Sequence, residues 1–272
     1  MEFPTKLAEV YQRIDQFDPE HYARSRNFIT GGVSYLSPYL SRGFITVPQV
    51  VKRLKDRGIG LAQGEKFIQE LAWREFYTRT WFQKGDGIFT DIRHPQEGVL
   101  NKGIPEAVLT AETGIRSLDT FLATFPQRGY LHNHLRMYLA AITCNVGKYH
   151  WSEPAAWLYY HLLDGDLASN ALSWQWCAGT FSNKLYYVNQ ENINKYTATK
   201  QVGTFLDTAY ENLHEAIFDK TDQVKAIKGM DASKPLDLPY EIDAIGILKK
   251  IQNANEAINF NINKIDLDKP FC

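Results

Sequence analysis

Apolar residues recur at three- and four-residue intervals along most of the chain, and strict alternation is almost absent, so the pattern predicts an all-α fold. The opening segment to about Phe17 reads as a helix. From Asp18 to Gly32 the chain is expected to be largely extended or turn, because Asp18-Pro19 and Gly31-Gly32 interrupt the period. Ser37-Pro38 opens a short helix that ends near the breaker Gly43. Gly64 then precedes a long helix, Glu65 to Phe82, in which Phe67, Leu71, Trp73, Phe76, Tyr77, Trp81 and Phe82 make the apolar surface wider than one stripe. That helix is predicted to be buried on most sides.

Charges inside it need an explanation. Glu70, Arg74 and Glu75 require partners or a ligand if the helix is enclosed, the ordinary alternative being an i,i+4 pair between Glu70 and Arg74. A second helix is predicted from about Tyr130 to Val146, with Leu131, Leu135, Leu139 and Ile142 toward a core and Asn133, Arg136 and Ala140 on a different face, an arrangement that suits a pocket. A third, near Glu153 to Leu163, ends at Asp164-Gly165-Asp166, where Gly165 is expected to make a positive-φ turn and Asp166 to cap the next helix. Asn170 follows Asp166 by four residues, so the two project near one side of that helix.

Composition narrows the function classes. The chain has 272 residues, 44% of them hydrophobic and 13% aromatic, the profile of a folded protein. It carries no apolar run of membrane-spanning length and no signal-peptide layout at its start, so no membrane partner and a cytoplasmic location are expected. Three scattered cysteines form no C-x-x-C pair, His132 and His134 lack an obvious third ligand, and the turn at Asp164 does not fit a calcium loop, so no metal is expected. Neither G-x-G-x-x-G nor a P-loop occurs. The net charge of −1 hides an uneven distribution: all twelve arginines lie in the first 136 residues, whereas residues 211–272 hold 8 lysines against 11 acids. The expected division is therefore a helical domain over 1–210 and an acidic, partly helical extension over 211–272, patterned as a helix around Tyr240 to Ile258.

Several stretches, in order from Tyr22 to Phe205, carry a more specific signal: Tyr22-x-x-x-Arg26-Asn27; Gly32-Val33-Ser34-Tyr35-Leu36-Ser37-Pro38; Glu70-Leu71-Ala72-Trp73-Arg74-Glu75-Phe76; Thr113-Gly114; His132-Asn133-His134-Leu135-Arg136-Met137; and Asp164-Gly165-Asp166 leading through Asn170 to Trp174-Gln175-Trp176. In this order and spacing they resemble the FAD-binding, catalytic domain of the DNA photolyase and cryptochrome family, in a short form without the family's N-terminal antenna domain.

The resemblance implies a helical cluster holding FAD, with Tyr22, Ser34, Leu36, Ser37 and Arg74 toward the phosphates and ribityl chain, Asn133, Arg136, Asp164, Asp166 and Asn170 around the isoalloxazine, and Phe67 and Gly165 at further cofactor-contact positions. Asn170 matches the position facing the flavin N5. Trp174 and Trp151 match the two inner members of an electron-supplying tryptophan chain whose outer member is replaced by Val108. Trp73, Trp176, Met137 and Glu70 match the walls of a pocket that takes a flipped pyrimidine dimer, and Arg26 and His134 match positions that grip DNA, His134 standing where arginine is usual. Light-driven repair of damaged DNA by electron transfer from reduced flavin is the activity implied. The alternatives are a cryptochrome-like photosensor or redox flavoprotein, working with a separate antenna or signalling protein, and a cofactor-free binding module.

Overall fold

The computed structural model describes residues 3–213; the acidic extension, with the helix expected around Tyr240, lies outside the described residues. Among the described residues twelve α-helices follow one another: α1 (Leu7–Gln16), α2 (Pro19–Ser25), α3 (Ser37–Ser41), α4 (Val47–Asp56), α5 (Leu61–Lys84), α6 (Glu106–Leu109), α7 (Arg116–Leu122), α8 (Phe125–Arg128), α9 (Asn133–Ala140), α10 (Ser152–His161), α11 (Leu167–Ala178) and α12 (Gln190–Thr197). Among the described residues there is no strand, only an isolated bridge between Asn101 and Tyr149.

Local chemistry explains most boundaries. Thr46 starts α4 with a capping box, its hydroxyl accepting from the Gln49 amide while the Gln49 side chain accepts from the Thr46 amide. α9 loosens into a π-helical turn over Ala141–Val146, a geometry that collects where side chains line a site. Two expectations need correction. Asp18-Pro19 does not break the chain but begins α2: the Asp18 carboxylate accepts from the amides of Glu20 and His21, and proline occupies the first turn, where its missing N–H costs nothing. The long helix is not enclosed on most sides either. Of its side chains only Phe67 and Leu71 are buried, while Trp73, Phe76 and Phe82 face outward.

Two apolar cores result. Val10, Ile14, Phe17, Leu36, Ile45, Val50, Leu54, Phe67 and Leu71 bind α1 to α5 together, and a larger core gathers the helices from α6 onward, with Phe125, Leu135, Tyr138, Trp151, Leu172 and Trp174 at its centre. α5 packs against α2 on one side and α11 on the other, and α11 also packs on α9 and α10. Polar contacts join α3 to the turn between α10 and α11: Ser41 Oγ donates to the Asp164 carbonyl at 2.9 Å and Arg42 Nε to the Leu163 carbonyl at 3.3 Å. Helices α5, α9 and α11 thereby stand around a shared space.

Candidate functional site

Two adjoining cavities occupy that space. The inner one, about 220 Å³, is lined by Ser37, Arg74, Tyr130, Asn133, Arg136, Met137, Asp164, Asp166, Ser169, Asn170, Ser173 and Trp174, with Ala140, Leu158, Leu162 and Cys177 as apolar wall. The outer one, about 590 Å³, shares Arg74, Tyr130, Asn133, Met137, Ser169, Ser173 and Cys177 with it and adds Tyr22, Arg26, Glu70, Trp73, Tyr77, His132, His134, Trp176 and Tyr186. Apolar walls with a few convergent polar groups are the usual build of a cofactor site.

The inner cavity is charged at two fixed points. Arg74 does not pair with Glu70 one turn away; its Nη2 donates to Asp166 Oδ2 at 2.8 Å and to Ser41 Oγ at 3.3 Å. Arg136 Nη2 donates to both oxygens of the buried Asp164 at 2.9 Å, and its Nε to the Leu131 carbonyl at 2.7 Å. Both cations are thus held by carboxylates of one turn, which leaves the remaining guanidinium N–H groups to serve an anion. Asp166 also caps α11, accepting from the Ser169 amide at 2.8 Å. Gly165 between them does not take positive φ. It is needed for another reason: a Cβ there would sit 3.1–3.2 Å from the Leu162 and Tyr159 carbonyls and the Tyr159 ring. Asn170 Nδ2 donates to the Ala155 carbonyl at 2.8 Å, so the carboxamide is anchored through its nitrogen and offers its oxygen.

In the outer cavity Glu70 lies 3.8 Å from Arg26, and burial pushes its carboxyl pKa upward against the pull of Arg26 and Lys66. Burial likewise raises the Tyr22 and Tyr77 phenols. His132 and His134 are lowered to about 4, burial being the largest cause, followed for His132 by His134 and Arg136 and for His134 by Arg26. Both rings are therefore neutral at pH 7. The Nε2 atoms of both histidines and the hydroxyl of Ser169 are buried without a hydrogen-bond partner. Orphaned donors and acceptors lining a cavity are what a bound polar ligand would satisfy.

Most of the expected site residues converge here. Ser37, Arg74, Asn133, Arg136, Asp164, Asp166, Asn170 and Trp174 line the inner cavity, and Tyr22, Arg26, Glu70, Trp73, His134, Met137 and Trp176 the outer one. Gly165 shapes the turn between Asp164 and Asp166 without lining either cavity, and four others lie apart. Leu36 is sealed in the amino-terminal core, Phe67 packs on Phe17 and Tyr22 with ring centroids 4.5 and 5.3 Å away, and Ser34 lines a separate hollow beside Arg13, Val33 and Tyr35. Trp151 is buried away from the cavities, its Nε1 donating to Asp91 Oδ1 at 2.7 Å. Tyr130, Ser169, Ser173, Tyr77 and Tyr186 line the cavities without having been expected. The i,i+4,i+8 series of Ser169, Ser173 and Cys177 on α11 was the available signal: small side chains on one helical face leave room beside it.

Residues 67–210 match the family described as the FAD binding domain of DNA photolyase, more than half of the chain. The chain belongs to this family. Its cofactor is FAD, and the donor set suits that group: two anchored arginines for a diphosphate beside apolar wall for a flat ring. Among photolyase relatives, a deoxyribodipyrimidine photo-lyase of Streptomyces griseus is 34% identical over 149 residues, 54% of this chain and 32% of that protein. One from Salmonella typhimurium is 29% identical over 196 residues, 68% of this chain and 41% of that protein. The chain thus spans well under half the length of these relatives. In fold it is similar to the cryptochrome of Synechocystis sp. PCC6803 (TM-score 0.61, 22% identity, 72% of this chain and 44% of that one). An archaeal photolyase from Sulfolobus tokodaii with two FAD molecules is also similar (TM-score 0.58, 19% identity, 79% and 51%).

Proposed function

We propose that this chain is a light-driven repair module for pyrimidine dimers in DNA, with FAD in the inner cavity and the dimer in the outer one. The observation that carries the reading is the shared wall: a single set of side chains, Arg74, Tyr130, Asn133 and Met137, faces both spaces, so occupants of the two would lie against each other. When bound, reduced FAD supplies an electron donor on absorbing blue light.

The chain's own residues do the positioning. Arg74, anchored on Asp166, holds the diphosphate, with Ser37 beside it. The Arg136–Asp164 pair keeps a fixed dipole at the ring end, and the anchored carboxamide of Asn170 presents its oxygen there. Trp73 and Trp176 stack against the flipped bases, Met137 packs beneath them, and Glu70, with its raised pKa, hydrogen-bonds their edges. Arg26, paired with Glu70, keeps that carboxyl in place and meets the nearest phosphate. Trp174, on the cavity wall, and Trp151, buried in the same apolar core, would resupply electrons to the bound flavin.

A sensor reading draws on two residues. Val108, where the resemblance calls for the outer tryptophan, is buried and redox-inert, and His134, in place of arginine, is neutral at pH 7 and grips phosphate weakly. One experiment separates the readings. The full chain, loaded with FAD and given a reductant, is illuminated with blue light in the presence of an oligonucleotide carrying a cyclobutane thymine dimer. Repair restores thymine absorbance, and Trp176→Ala lowers the yield at least tenfold. Stoichiometric FAD with no restored thymine refutes repair and leaves the sensor.

A further inference from the structure

Beside the mouth of the outer cavity the protein leaves large aromatic rings to solvent: Trp73 and Phe76 are each 44% exposed and Trp176 40%. Trp73 meets Phe76 edge-on at 5.6 Å, and Phe76 lies near-parallel to Phe181, 24° between planes and 6.2 Å between centroids. The guanidinium of Arg93 stands 5.0 Å over the Phe181 ring. The series therefore runs from Trp73 on the cavity wall through Phe76 and the partly buried Phe181 to a cation.

This ladder is built rather than incidental. The segment carrying Arg93 is tied to the one carrying Phe181: the amides of Arg93 and His94 both donate to the Thr180 carbonyl, at 3.0 and 3.2 Å, and the Phe181 amide donates to the Gln175 carbonyl at 3.2 Å. The buried Gln175 side chain locks both segments, accepting from the Ile92 amide and the Thr180 hydroxyl and donating to the Ile88 carbonyl. Arg93 itself is exposed, and among the described residues its guanidinium forms no ion pair. A rigidly based series of rings, exposed at Trp73 and Phe76 and partly buried at Phe181, that ends in an exposed cation without an ion pair suits a flat π-surface attached to an anion.

We propose that Phe76, Phe181 and Arg93 form a stacking platform for an unpaired nucleobase adjacent to the dimer, with Arg93 meeting its phosphate, so that the protein prefers dimers in single-stranded or locally opened DNA. The proposal rests on the repair reading above. In duplex DNA neighbouring bases are held by their partners and cannot reach the platform; in a single strand they are free to leave their own stack for it.

The test uses the full chain and two probes, a dimer-containing single strand and the same dimer in a duplex, each with 2-aminopurine next to the lesion. Phe181→Leu, which keeps bulk but removes the ring, should weaken single-strand binding about tenfold, the size of one lost base–aromatic stack. Duplex affinity should stay within about twofold. Arg93→Gln, at an exposed position that does not threaten folding, should reduce the salt slope for the single strand by about 0.7. Quenching of the 2-aminopurine should be lost in Phe181→Leu. If both variants bind both probes as the unaltered protein does, while Trp176→Ala fails on both, the platform is refuted and the repair cavity stands. Equal losses on single strand and duplex also refute the preference. If the unaltered protein binds neither probe, the repair reading and the platform fall together.

Discussion

Asp164→Asn tests the electrostatic centre of the site with almost no change of shape. The Asp164 side chain is 4% exposed and accepts two hydrogen bonds from Arg136, whose side chain is 21% exposed, donates one further hydrogen bond to the Leu131 carbonyl and stands 5.6 Å over the Tyr130 ring. Replacing the carboxylate by a neutral amide leaves a largely buried guanidinium without its counter-charge. Breaking a buried pair this way costs about 3–5 kcal/mol. The partial exposure of Arg136 moves the expectation to about 3 kcal/mol, a fall in melting temperature of about 6–12 °C for a domain of this size. The assay is thermal unfolding of the FAD-free protein, where no ligand masks the loss. The double variant Arg136→Met/Asp164→Leu removes both charges and should recover at least half of the fall, because the cost lies in the unpaired charge rather than in the missing bridge. A melting temperature within 1 °C of the original for Asp164→Asn, or a double variant no better than the single, would refute the reasoning.

Two other perturbations follow from the same geometry. Arg74→Ala should lower FAD affinity at least tenfold, since charge-assisted hydrogen bonds contribute about 1.5–3 kcal/mol, and Arg74→Lys should not restore it because a single ammonium cannot both stay on Asp166 and serve the diphosphate; stoichiometric FAD after purification of Arg74→Ala would remove that residue from the site. His132 and His134, with pKa values lowered to about 4, bind fewer protons folded than unfolded. Their contribution is complete above the ordinary histidine pKa near 6.5 and is lost as pH falls through 4, so urea unfolding should show a stability loss of about 3 kcal/mol for each ring between pH 7 and 4. His134→Gln should shrink that difference; an unchanged one would mean that the ring is not held neutral.

The sequence made the helical fold legible because its period of three to four runs through most elements, and it made the cavity residues legible where motif and burial coincide, as at Arg74, Arg136, Asp164 and Asn170. It was misleading where one residue type serves two purposes. Asp18-Pro19 is both a turn pair and a helix start, and only the carboxylate's bonds to the Glu20 and His21 amides decide between them. The wide apolar surface of α5 reads as burial, yet Trp73 and Phe76 are turned outward, Trp73 on the wall of a cavity. Glu70 and Arg74 satisfy the spacing of a helical pair, but each is held by a residue of another segment, Arg26 and Asp166. Such partnerships across 44 and 92 residues belong to tertiary structure and leave no trace in local spacing. The platform around Phe181 was invisible for the same reason: Arg93 and Phe76 reach it from separate parts of the chain.

Titrating the FAD-free chain with FAD, with flavin fluorescence and melting temperature followed together, decides whether the space between α5, α9 and α11 holds FAD through Arg74 and Arg136. Saturation at one FAD per chain is expected, with a melting temperature that rises with FAD concentration and loss of both signals in an Arg74→Ala/Arg136→Ala variant that remains folded. Saturable binding of equal strength in that variant, or no binding by the unaltered chain, would contradict that placement.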